Sequence, residues 1–201
     1  GLVGAEMCIR DRYIGNSRYK DVFAASAMAD LTSFRNHWGA ETSLDVELYR
    51  PVARYELVAK DVATFLNKLS TGGLKGESFT ARVKYSDYLP TGYNLWDDVP
   101  KNSLMYMEYK VAFERPADGT KELKLGFDYV LTDAGETVSI PVELEILNEK
   151  NEVLARTAFR IPCERGKNTT VRGNFLTSDA NGGIGIDPDY DGDLEVDLGE
   201  L

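Results

Sequence analysis

The sequence predicts a mainly β protein, a β-sandwich carrying one short helix over about residues 60–69. Three observations lead there. Apolar and polar residues alternate with a period of 2 in segment after segment. Turn-forming residues separate those segments at short spacing, as in sandwiches rather than parallel α/β sheets. Only one stretch shifts to a helical period.

The elements follow in chain order. Asp21–Ala29 (DVFAASAMA) is apolar enough for a strand or a short helix, and 32–42, with Asn36, His37, Trp38 and Gly39, reads as a loop. Leu44, Val46 and Leu48 alternate with Asp45, Glu47 and Tyr49, which predicts a half-buried strand. Arg50-Pro51 interrupts it, because proline has no N–H for a ladder, and a domain boundary is placed there. Val52–Ala59 resumes as a strand. Val62, Phe65, Leu66 and Leu69 then share one helical face, Asp61 is positioned as N-cap, and the glycines of STGGLKG (70–76) end the helix.

Beyond that point strands dominate. Phe79, Ala81, Val83 and Tyr85 alternate. Residues 87–100 (DYLPTGYNLWDDVP) read as a long aromatic loop punctuated by prolines. Leu104–Phe113 is strand-like, and Leu123, Leu125, Phe127 and Tyr129 alternate again. Val138–Leu147 and Val153–Ile161 flank NEKN (148–151), a hairpin turn. Thr169–Leu176 is a further strand. Ile184 and Ile186, with Leu194, Val196 and Leu198, predict a small terminal hairpin, or a strand donated to a neighbour.

Composition excludes several function classes. A formal net charge of −10 in 201 residues repels nucleic-acid phosphate and anionic membrane surfaces. No apolar run approaches the roughly 18 residues that span a bilayer. Two cysteines, Cys8 and Cys163, make neither a disulfide framework nor a metal site at short spacing. His37 is the single histidine and stands apart from any nucleophile motif, so a non-catalytic protein is expected.

Gly1–Arg12 (GLVGAEMCIRDR) follows neither period and resembles the translated read-through of a sequencing adapter. It is expected to be foreign, leaving a native sequence that starts near Tyr13 and lacks its upstream part. The chain then divides into residues 1–12, residues 13–49 as the remnant of an N-terminal β domain, and residues 50–198 as a complete C-terminal domain.

Two stretches carry potential chemistry. Asp187, Asp189, Asp191 and Asp193, with Gly192, follow the D-x-D-x-D-G pattern of calcium loops, although position twelve is Leu198 instead of glutamate. Calcium is the one cofactor this pattern would take. An acidic turn between strands explains the same residues. Tyr88, Tyr93 and Trp96 offer an aromatic platform for a sugar ring or a protein partner, or a cover for the core's end.

LYRPVARYELVA (48–59) and FRIPCERGKNTTVRGNFLTS (159–178) together resemble the fimbrillin-like surface proteins of Bacteroidetes-type fimbriae. The segment GGIGIDPDYDGDLEVDL (182–198) is similar to that family's ending. The resemblance implies transthyretin-like, Greek-key sandwich domains in tandem, export to the cell surface or outer membrane as a lipoprotein, and assembly with other fimbrial subunits by strand exchange. The lipid anchor would sit on an upstream segment, not on Cys163. In that reading Ile184, Ile186, Leu194, Val196 and Leu198 are the exchange candidates. The alternative is a glycan-binding surface lipoprotein that uses residues 88–96 on host or glycan ligands.

Overall fold

A computed structural model describes residues 13–37, 39 and 41–178, and the backbone of residues 194–197. Its strands are β1 (Val52–Ala59), β2 (Ser78–Tyr85), β3 (Leu89–Asn94), β4 (Val99–Leu104), β5 (Glu108–Glu114), β6 (Leu123–Leu131), β7 (Thr137–Asn148), β8 (Val153–Glu164), β9 (Asn168–Gly173) and β10 (Leu194–Asp197). Among the described residues one α-helix, α1 (Val62–Ser70), follows β1, beside two short 3-10 turns. The mainly β sandwich with one short α-helix among these residues is therefore present.

One sheet has the order β10-β9-β1-β6 and the other β5-β2-β7-β8; β3 and β4 form a separate hairpin. Each of the two large sheets turns one face inward. Tyr55 and Leu57 of β1 meet Ala81 and Val83 of β2 and Leu144 and Ile146 of β7 in one hydrophobic core. Alternation dictates this: β2 is buried at every second residue. Its outward residue Arg82 lies opposite Glu145 of β7, which lies opposite Arg156 of β8.

β6 departs from simple alternation. A bulge opposite Leu57 and Val58 changes its register. Gly126, at φ +150°, is a conformation that side chains rarely adopt, and a Cβ there would press on Tyr109 and Val111. Before the bulge Leu125 faces the core. After it Asp128 and Val130 do, and Phe127 and Tyr129 turn outward. The apolar alternation of 123, 125, 127 and 129 thus splits between two faces.

In α1, Val62, Phe65 and Leu66 are buried, and the Phe65 ring meets Phe79 edge-on at 5.1 Å. Asp61 occupies the N-cap position but makes no side-chain cap bond. Its carboxylate instead accepts from the Leu176 N–H at 3.0 Å and the Thr177 hydroxyl at 2.7 Å. That ties the helix start to the chain after β9.

Three expectations change. Residues 44–48 form no ladder strand; the nearest pairing is one isolated bridge between Ala24 and Tyr49, and Leu44, Val46 and Leu48 are exposed. Alternation gives a segment two faces without supplying a strand to pair with. Residues 87–100 are not a long loop: β3 and β4 pair there, from Leu89 with Leu104 to Asn94 with Val99. Pro90 and Pro100 are tolerated because both strands have free edges. The strand predicted over 169–176 ends at Gly173.

Candidate functional site

The outward turn of β6 makes a concave surface. A cleft of about 170 Å3 is lined by Asp21, Arg50 and Val52, by Arg54 and Tyr129, and by Gly166, Lys167 and Asn168. Arg50, Val52 and Arg54 come from the RPVAR string, and Gly166–Asn168 from the ERGKN stretch. Two motifs more than a hundred residues apart in sequence therefore meet in one place. β1 and β9 run parallel, with Arg54 opposite Asn168, and that pairing brings them together.

Backbone bonds fix the cleft floor. Gly166 N–H donates to Val52 O at 2.9 Å, and Arg54 N–H donates to Lys167 O at 2.9 Å. Gly166 turns the chain at φ +72°. The side chains are held as well. Arg50 Nε donates to Asp21 Oδ1 at 2.8 Å, with the guanidinium 4.4 Å from the Phe23 ring centre. Arg54 donates to Asn168 Oδ1 and to Glu56, and lies 4.9 Å from the Phe127 ring centre. Lys167 pairs with Glu164 at 2.6 Å. Each cation has its carboxylate, so the site is nearly neutral. Its free capacity is hydroxyl, carboxylate-oxygen and guanidinium N–H groups beside an aromatic ring.

A second polar cluster holds the β3–β4 hairpin. Arg165 pairs with Asp98 at 2.5 Å and also donates to the Tyr93 hydroxyl. Tyr49 and Tyr93 donate to Asp98 at 2.5 and 2.7 Å. Hydrogen bonds from Arg165 hold the Asp98 carboxyl well below the usual carboxylate range. Burial, then the Asp98 bond, pushes the Tyr93 phenol above its ordinary value.

A third cluster lies inside. Asp128 is fully buried and accepts from Lys20 Nζ at 2.9 Å, from the Tyr85 hydroxyl at 2.7 Å and from Tyr13. Tyr55 and Tyr109 extend the chain of hydroxyls. Burial lowers the Lys20 ammonium below its ordinary range although Asp128 opposes the shift.

The predicted site residues fall as follows. Tyr88 is exposed just before β3, Trp96 is 73% exposed at the hairpin's turn, and Tyr93 is half-buried in the Arg165 cluster. Tyr88 and Trp96 flank opposite ends of β3, whose six residues span roughly 20 Å at strand rise. They do not form one platform. Asp187, Asp189, Asp191 and Asp193, like Ile184, Ile186 and Leu198, lie outside the described residues. Leu194 and Val196 belong to β10, which pairs antiparallel with β9, Leu194 opposite Val171 and Val196 opposite Thr169. His37 is exposed, with Nδ1 3.2 Å from Ser33 O. Cys163 is buried, and burial pushes its thiol up to about 12. Sequence reasoning named none of the cleft residues as site residues: Arg50, Arg54, Lys167 and Asn168 stood only in the two motif strings, and Asp21 and Tyr129 in apolar segments. The only signal for Tyr129 is Gly126 inside a strand pattern, where a glycine marks a bulge.

Comparison with solved structures finds a crystal structure of a "putative cell adhesion protein" from Bacteroides ovatus ATCC 8483, at 12% identity and a TM-score of 0.35. The match covers 63% of this chain and 41% of that one. This chain therefore spans less than half the length of that protein. A search of curated proteins finds no significant match. Residues 6–199 match the family described as "Family of unknown function (DUF6562)", so the chain belongs to that family.

Proposed function

We propose that this chain is a non-catalytic cell-surface subunit, structural or adhesive, of the fimbrillin-like kind, that joins its neighbours by strand exchange. The observation that carries this reading is residues 44–48. Leu44, Val46 and Leu48 are 53, 50 and 62% exposed in a strand-patterned segment without a ladder. Three exposed large apolar side chains at alternate positions favour burial against another sheet. Asp45 and Glu47 alternate with them in the sequence. β8 is an edge strand of 12 residues with Arg156 and Arg160 on its outer face. A 44–48 segment of another copy added beside β8 would bring its acids near those arginines, which within the chain are bonded to Glu145 and Ser139, and its apolar residues toward the core.

The non-catalytic part is supported by Cys163 and His37. The first is a buried thiol held neutral, and the second is an exposed loop side chain on a backbone carbonyl. Export as an outer-membrane lipoprotein belongs to the same proposal and rests on the motif resemblance. No helix among the described residues is long and apolar enough to cross a membrane. A second reading, glycan binding through residues 88–96, is favoured by the exposure of Trp96, with Tyr88 and Tyr93 contributing separately.

Size-exclusion chromatography with crosslinking over a concentration series tests the first reading. Oligomer ladders are expected, and Leu44→Asp with Val46→Asp should abolish them without lowering Tm. Ladders unchanged by both substitutions, or a monomer at every concentration, would sink strand exchange.

A further inference from the structure

We infer that the cleft between Arg50, Arg54, Tyr129 and Asn168 is a binding site for one neutral hexopyranose unit of a glycan. The inference rests on the adhesive reading and names the ligand class that an adhesive surface would use here.

The chemistry of the lining is specific. Tyr129 is the aromatic residue of the lining; its neighbour Phe127, ring centres 6.1 Å apart and edge to face, stands outside the lining and carries the Arg54 guanidinium. Aromatic rings offer an apolar face to the C–H side of a pyranose. The Tyr129 hydroxyl bonds to none of the described residues. Arg50 uses Nε on Asp21 Oδ1, which leaves its two terminal nitrogens as donors and Asp21 Oδ2 as an acceptor. A planar donor beside a carboxylate oxygen matches two adjacent hydroxyls, one accepting and one donating. Asn168 engages Arg54 through Oδ1, so its amide N–H₂ is turned to donate, with only a long 3.4 Å bond to Thr170.

Charge decides between neutral and anionic sugars. Arg50, Arg54 and Lys167 are offset by Asp21, Glu56 and Glu164 within 3.1 Å of one another in pairs. Each cation that lines the cleft is thus already engaged by a carboxylate, and the chain's net charge of −10 repels carboxylates and sulfates. The cleft is small beside a drug-sized pocket of roughly 300–1,000 Å3, so about 170 Å3 suits a single ring with the rest of the glycan in solvent. The site is also preorganised. Its floor is the β1–β9 ladder, and the Gly166 turn is bonded to Val52, so little ordering is needed on binding.

The test uses the full chain on a printed array of neutral and acidic glycans, followed by titration with the methyl hexopyranoside of the terminal sugar bound best. Tyr129→Ala and Arg50→Ala should each weaken binding about tenfold or more. Tyr129→Phe, which keeps the ring, should weaken it less, and Trp96→Ala should leave it unchanged. Tm of every variant is measured alongside; where Arg50→Ala lowers it, Asp21→Asn replaces it as the polar-pair variant. Binding lost in Trp96→Ala and kept in Tyr129→Ala would overturn the cleft and leave an adhesive surface standing at the hairpin. Binding restricted to sialylated, uronate or sulfated glycans would overturn the neutral-ligand assignment. No binding to any glycan would overturn the inference, while oligomer ladders would still support the structural reading.

Discussion

Lys20 Nζ lies 2.9 Å from Asp128 Oδ1 in a site where Asp128 is wholly shielded from water. The two residues are 108 positions apart. Lys20 reaches in from a 3-10 turn over Arg18–Lys20, and Asp128 points inward only because the β6 bulge has turned it. Tyr13 lies beside them, its ring centre 3.6 Å from the ammonium. A buried charge of this kind is tolerated when paired and hydrogen-bonded, and costly when one partner is removed.

Lys20→Met should therefore destabilise the fold by roughly 3–5 kcal/mol, lowering Tm by roughly 10 °C. Adding Asp128→Asn should restore part of the loss, because the remaining site no longer carries a charge. Thermal unfolding followed by circular dichroism measures both. Equal stability of the wild type and Lys20→Met would show that the pair contributes nothing.

The turn that delivers Lys20 depends on Gly15. A Cβ at this position would collide with the Tyr109 ring, and Asn16 N–H donates to Phe127 O at 2.9 Å next to it. Gly15→Ala should cost about 1–3 kcal/mol through overpacking. It should also loosen residues 13–20 from the sandwich. Faster tryptic cleavage at Arg18 and Lys20 is the expected readout, with cleavage inside β7 and β8 unchanged.

Glu145 sets an acid limit on stability. It is buried under Arg82, Lys84 and Arg156 on the outer face of the β2–β7–β8 sheet. Burial alone would raise its pKa, but bonds from Lys84, Arg82 and Arg156 outweigh burial and hold it at about 2, below its ordinary 4.5. The folded state thus favours the ionised form. This stabilisation is complete above about pH 4.5 and is lost as pH falls toward about 2. Glu145→Gln should be less stable than wild type at pH 7, with the gap closing over that window. Urea unfolding at a series of pH values checks it; a gap independent of pH would exclude Glu145 as the titrating group.

Cys163 should resist thiol reagents in the folded protein, since burial holds its thiol up to about 12 and removes access. In a Cys8→Ser variant, Ellman's reagent should react only after denaturant is added, and then with one equivalent. Rapid reaction of the native variant would mean that β8 opens readily.

Much of the fold is legible in the sequence because β-strands with one buried face write their period directly. β2 is the clearest case: its alternation of Phe79, Ala81, Val83 and Tyr85 is its burial pattern. The β7–β8 hairpin is equally plain, since NEKN stands between two long alternating runs. α1 shows through its 62, 65, 66 and 69 stripe. These are local properties, fixed by which side chains avoid water along a few residues.

What the tertiary structure alone decides is pairing and register. Leu44, Val46 and Leu48 carry the alternation of a strand, yet whether a neighbouring edge meets them is not written in their own sequence. Residues 87–100 look too broken by proline to pair, but belong to the β3–β4 hairpin because each strand has a free edge where no N–H is required. The bulge at Gly126 matters most. One extra residue reverses which side chains of β6 face inward, so Asp128 enters the core and Tyr129 joins Arg50 and Asn168 at the surface. The sequence determined a β-sandwich and the two motifs. The parallel β1–β9 pairing and that single-residue shift decided that the motifs share one cleft, because contacts between distant segments depend on a register that local periodicity does not encode.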